Sequence, residues 1–134
     1  YFTDKELHLL DATEEEKSNM YTLRDKILNP ARVANGVIVC TSGHRNKEHN
    51  VRARGSANSR HMCKSGYAAA DLSPKECTLE ELFYYIKNNF SYAELILEWD
   101  QNIVHVALNV DEKKNIKRTS IRKSVNGNLV YYPV

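Results

Sequence analysis

The chain has 134 residues, 42% hydrophobic and 27% charged, the length and composition of one soluble globular domain with a genuine core. Its formal charge of +2 sets up no global field that would draw in nucleic acid. No apolar run approaches the roughly 18 residues a membrane helix needs, and the opening YFTDKELHLL shows no basic region followed by a long apolar stretch, so no signal peptide is visible in it.

In chain order, Ser/Thr-x-x-Glu boxes mark three helix starts, because each box satisfies free N-terminal amides reciprocally. Thr3 to Glu6 is expected to open a short first helix, with His8 on its surface. Thr13 to Glu16 opens a second, along which Met20, Leu23 and Ile27 recur at helical spacing until Asn29-Pro30 ends or kinks it. Val37 to Thr41 is a continuous apolar run expected to form a central strand. Gly43 to Ser59 reads as a long loop. Ala68 to Leu72 is a short strand ending in a turn at Ser73-Pro74. Thr78 to Glu81 opens a third helix with Leu79, Leu82, Phe83 and Ile86 as its buried stripe, stopped by Asn88-Asn89. Ala93 to Glu98 and Ile103 to Asn109 read as a hairpin, and a second hairpin surrounds Asn126-Gly127, a pair suited to positive φ angles. The order implies an α+β domain spanning residues 1–134, with an antiparallel sheet and helices packed mainly on one side.

Three cysteines do not make a disulfide framework. Cys40 is expected to be a buried thiol. Cys63 and Cys77 either stay free or pair in an oxidising compartment, and Cys63, two residues after His61, is an alternative metal ligand.

Chemistry concentrates between Thr41 and Asp71, where four arginines, three histidines and an aspartate lie in a Gly/Ser/Asn-rich stretch. His105 lies apart, in the apolar run Ile103 to Leu108. Two histidines and a carboxylate from separate elements are what a catalytic zinc site with one open position requires. Each has a plainer reading. His105 alone suits a hydrogen-bonded core histidine, Asp71 a turn cap before Ser73-Pro74, and Arg45 a solvated loop charge. The basic run Lys113, Lys114, Lys117, Arg118, Arg122 and Lys123 invites a nucleic-acid reading, but on an exposed hairpin it is expected to be a solvated face, or one that attracts anionic wall polymers.

Ser42-Gly43-His44-Arg45, Gly55 to His61, Gly66 to Asp71 and Ile103-Val104-His105-Val106 together resemble, in order, the M15 family of zinc peptidases. These D-Ala-D-Ala carboxypeptidase-like and endolysin-like enzymes share a fold with the Hedgehog signalling domain. The family pattern Ser-x-His-x-x-Gly-x-Ala-x-Asp, followed by Trp-x-His, implies Zn2+ held by His61, Asp71 and His105. Arg45 would bind a substrate carboxylate or the developing oxyanion. His44, where the family has Tyr, would touch substrate, and Ser59 would orient a ligand or contact substrate. Here Asp71 follows His61 by ten positions instead of seven, so either residues 62–65 loop out or the ligand register is altered. Ile103 replaces the usual Trp, and Asn102 stands where many members carry the acidic general base. Two acids are near enough to substitute. If residue 98 pairs with 103, Glu98 shares a face with His105, roughly 7–8 Å away at the backbone; a shifted register would favour Asp100.

The resemblance implies a monomeric hydrolase of peptidoglycan stem peptides, acting in the bacterial cell wall or periplasm and in its compactness like a phage lytic enzyme. Neither nucleic acid nor membrane is an expected partner. A non-catalytic, Hedgehog-like zinc or wall-binding domain is the rival reading.

Overall fold

The computed structural model describes residues 1–56 and 58–134; Ala57 lies outside them. Helix α1 (Glu14–Leu23) starts where expected, with both halves of the Thr13/Glu16 capping box in place. Pro30 neither ends nor sharply breaks the helical run. It has no N–H to give the preceding turn, and the chain widens into a π-helical turn over Arg24–Leu28 before resuming as α2 (Asn29–Asn35). The wide turn is closed by Asn29 N–H bonding to Arg24 O, so the helix passes the proline with its bonding intact. The Thr3/Glu6 box also forms its two hydrogen bonds, yet no helix grows from it. His8 takes a left-handed φ of 61°, and Leu7 and Leu9 both enter the core. A helix would place residues two apart on different faces.

Six strands form one sheet: β1 (Ile38–Ser42), β2 (Tyr67–Pro74), β3 (Glu94–Glu98), β4 (Ile103–Asn109), β5 (Arg118–Val125) and β6 (Asn128–Pro133), in the order β1-β2-β4-β3-β5-β6. All neighbours are antiparallel except β3 and β5, which run parallel. The sheet is therefore mixed: largely antiparallel, as expected, with one parallel pairing that was not. The run from Val37 supplies an edge strand, not a central one, and it alternates: Ile38 and Cys40 are buried while Val37 and Val39 are exposed. The centre of the sheet is β4 and β3, and β2, next to the edge, continues through Ser73 and Pro74. Asn126 and Gly127 take φ of 52° and 80° and turn the last hairpin as expected.

Helices α1 and α4 (Leu79–Asn89) cover one face. Leu72, Val104, Val106, Leu95 and Leu97 from the sheet meet Met20, Leu23, Leu82, Phe83 and Ile86 there. No helix among the described residues is long and apolar enough to cross a membrane. The opposite face of the sheet carries the polar residues. The long loop after β1 covers part of it and is less plain than expected, since Lys47–Arg52 form a short helix, α3, capped by Asn46. All three cysteines are free; Cys40 and Cys63 are buried, and burial pushes both thiols up to about 12.

Candidate metal centre

Asp71 of β2 and His105 of β4 are direct partners in the sheet. Side chains of paired residues share a face, so both leave the helix-covered side and point into the same cleft. His105 Nδ1 lies 2.8 Å from Asp71 Oδ1. His61 arrives from above the sheet on a single 3₁₀ turn, Arg60–Met62. Ser59 caps that turn by accepting the His61 N–H at 3.3 Å, and the Arg45 N–H holds the His61 carbonyl at 2.7 Å. Gly43 completes the mount. Its carbonyl can only accept, so the 2.8 Å contact from His61 Nδ1 fixes the proton there and directs Nε2 towards Asp71. A side chain at Gly43 has no room, because a Cβ would sit 2.2 Å from the Leu7 carbonyl oxygen.

Of the two ways the spacing left open, the chain takes the first: the three extra positions between His61 and Asp71 are absorbed in a bend. Cys63 and Ser65 take left-handed φ of 57° and 56°, and Gly66 adopts 79°. The detour is pinned by Asn109, whose amide bonds to Ser65 O, and by Asn19, which bonds to Cys63 O. Cys63 itself packs in the core and is no ligand.

One nitrogen from each of His61 and His105 and one oxygen of Asp71 all lie within 4.8 Å of one another. Two donors on a tetrahedral zinc stand about 3.3 Å apart; His61 Nε2 is already 3.3 Å from Asp71 Oδ1. The donor set and its spacing fit a divalent ion of the zinc type. Burial alone would raise the Asp71 pKa, but hydrogen bonds from His105 and His61 outweigh it and hold the carboxyl well below the usual range. Burial keeps His61 neutral, lowering its pKa. Burial also opposes charge on His105, yet Asp71 and Glu94 overcome it and raise that imidazole to about 10.

Glu94 was not legible as a site residue. It accepts from His105 Nε2 at 3.2 Å, setting the ring so that Nδ1 faces Asp71, and that hydrogen bond pulls its own pKa down. Arg60 adds an ion pair to the same oxygen at 3.4 Å. The signal available was period two: Glu94, Ile96 and Glu98 alternate along β3, and all three line the cleft.

That cleft, of about 1180 Å³, runs across the sheet from Ser42 to Pro133. Arg45 lines it, donating Nε to Ser42 Oγ at 3.1 Å with its guanidinium 3.7 Å from Asp71. Ser59 lines it as well. Glu98 pairs with Ile103 in the expected register and stands on the cleft wall, 8% exposed, its pKa raised by burial. Asp100 does not line the cleft among the described residues; it grips Arg122 through both oxygens. Asn102 serves the turn, taking the left-handed φ of 57° that asparagine tolerates. His44, expected against substrate, is instead buried and bonded to Glu16 at 3.1 Å. The basic run is divided. Lys117 caps Lys87 O over the Tyr92 ring, whereas Arg118 and Arg122, expected on a solvated face, line the cleft.

No curated protein matches the chain. The family profile described as Peptidase M15 matches residues 10–107, which takes in His61, Asp71, His105, Glu94 and Glu98 and stops before β5. With that match over most of its length, and three convergent side chains that could hold a metal ion within it, the chain belongs to the peptidase M15 family.

Proposed function

We propose that this protein is a zinc metallopeptidase that hydrolyses a stem-peptide bond of peptidoglycan, of the D-Ala-D-Ala or L-Ala-D-Glu type. The observation that carries the reading is the convergence of His61, Asp71 and His105 on a cleft wall that also presents Glu98. A zinc ion on two imidazoles and a carboxylate supplies Lewis-acid polarisation of an amide carbonyl and activation of a water. The remaining work falls to the chain. Glu98 is the proton acceptor: Oε1 is held by Arg122, and Oε2 makes no hydrogen bond among the described residues. A carboxyl whose burial lifts its pKa is suited both to take a proton from water and to return it to a leaving amine. Arg45, a permanent cation beside the ligands, is placed to hold a substrate carboxylate or the developing oxyanion. Such an enzyme would act as a monomer at the bacterial wall or in the periplasm, as a phage lytic enzyme does.

The test pairs zinc content with release of stem-peptide fragments from purified cell walls, for wild type, His61→Ala and His105→Ala. Stoichiometric zinc and release by wild type alone support the reading. Zinc without release favours the rival, a non-catalytic zinc or wall-binding domain, for which the amide at Asn102 speaks.

A further inference from the structure

The last hairpin, β5 and β6, lies outside the family match, which ends at Ala107. It nevertheless forms a wall of the cleft through Arg118, Arg122 and Tyr131. Parallel pairing of β3 with β5 sets Arg122 directly opposite Glu98, and Trp99 N–H bonds to the Arg122 carbonyl at 3.0 Å, fixing that register.

The Arg122 guanidinium is gripped twice. Its Nε and one terminal nitrogen take both oxygens of Asp100 at 2.9 and 2.8 Å, and the same nitrogen reaches Glu98 Oε1 at 2.6 Å. Its side chain is 15% exposed, and those of Glu98 and Asp100 are 11% and 8%. A bidentate fork of this kind specifies direction as well as charge. Fold stability does not require such a cluster, since well-packed apolar residues in place of a buried ion pair are often neutral or stabilising.

We propose that Arg122 is a positioning residue for the peptidase reaction, anchored by Asp100 and aiming the Glu98 carboxylate into the cleft. This rests on the reading of Glu98 as proton acceptor. One oxygen is pinned by Arg122, so the other is presented in a single direction. Asp100 thereby has a role different from that of a substitute base. The groups facing Glu98 are Arg122 from β5, Asp100 from the hairpin turn, His105 from β4 and Asp71 from β2. Removing the cation leaves two acids and an imidazole, so the Glu98 proton is then held more tightly.

The experiment compares wild type, Arg122→Ala, Arg122→Lys, Glu98→Gln and the Arg122→Ala/Glu98→Gln double variant, each checked for bound zinc and thermal melting. The expected result is a kcat for Arg122→Ala about 10–100-fold below wild type, with KM within about twofold and zinc content unchanged. The acidic limb of its kcat profile moves to higher pH. Arg122→Lys returns that limb towards its wild-type position but recovers kcat only in part. In the Glu98→Gln background, Arg122→Ala costs little more, because the two act as a unit. Equal losses with and without Glu98, or an unchanged pH limb, overturn the proposal. Crystal structures of wild type and Arg122→Ala supply a readout free of turnover. A displaced Glu98 carboxylate in the variant of a protein that cleaves no wall peptide would overturn the peptidase reading and leave the positioning intact; an unmoved carboxylate overturns the positioning itself.

Discussion

The Nε2 atom of His105 lies 3.2 Å from Oε1 of Glu94, so one end of that imidazole is committed to a carboxylate and only Nδ1 faces Asp71 and His61. Hydrogen bonds of this kind fix the ring tautomer and sharpen the basicity of the other nitrogen. Glu94→Gln should therefore weaken zinc binding about 10–100-fold while leaving the fold intact. Chelator-competition titration measures it; an unchanged affinity would remove Glu94 from the site.

Proton linkage gives a second expectation. In the metal-free protein the His105 pKa is raised to about 10 from an ordinary value near 6.5, so at neutral pH zinc must displace its proton. His61 is already neutral there. Apparent zinc affinity should rise about tenfold per pH unit from neutral pH and level off above about 10. Calorimetry in buffers of different ionisation enthalpy should count close to one proton released at about pH 7.5. The same shift stabilises the metal-free fold fully below 6.5, an effect lost as pH climbs through 10.

Gly43→Ala should cost about 1–3 kcal/mol, since a methyl meets the Leu7 carbonyl and the backbone must move. The carbonyl that holds His61 moves with it, so zinc affinity should fall in parallel with the denaturation midpoint. Loss of stability with wild-type affinity would show that the mount is looser than its hydrogen bonds imply.

Thr78→Ala is the matching control. It removes the box that starts α4, far from the cleft, and should lower stability by about 1 kcal/mol without changing zinc affinity. Urea denaturation and metal titration on one preparation decide it.

Local signals translated well into structure. Thr13 and Thr78 opened helices because a capping box is satisfied within four residues, and the residue pair Asn126-Gly127 turned a hairpin because its φ angles are intrinsic. The convergence of His61, Asp71 and His105 was legible from the ordered motifs, and the position of Glu98 from the register of a short hairpin. What the chain concealed depends on distant partners. Val37 to Thr41 looked central because apolar content does not say which strand lies beside it. The parallel pairing of β3 with β5 spans 24 residues between Glu98 and Arg122, and no local pattern encodes it. Arg122 therefore looked like one more surface cation, and Asp100 like a spare acid. Glu94 was missed for a related reason: a strand glutamate acquires meaning only when its face is known to hold a histidine. The Thr3 box shows the converse, a correct local signal overruled when Leu7 and Leu9 were both drawn inward.

The detour from Cys63 to Gly66 decouples two rulers. The spacing of His61, Asp71 and His105 in space is held by sheet pairing and by the Gly43 carbonyl, whereas separation along the chain is merely slack taken up in a tethered bend. Lengthening such slack costs only a slowly growing closure entropy, about 0.6 kcal/mol for a doubling. The number of residues between His61 and Asp71 is thus free to drift without disturbing the place where their side chains meet.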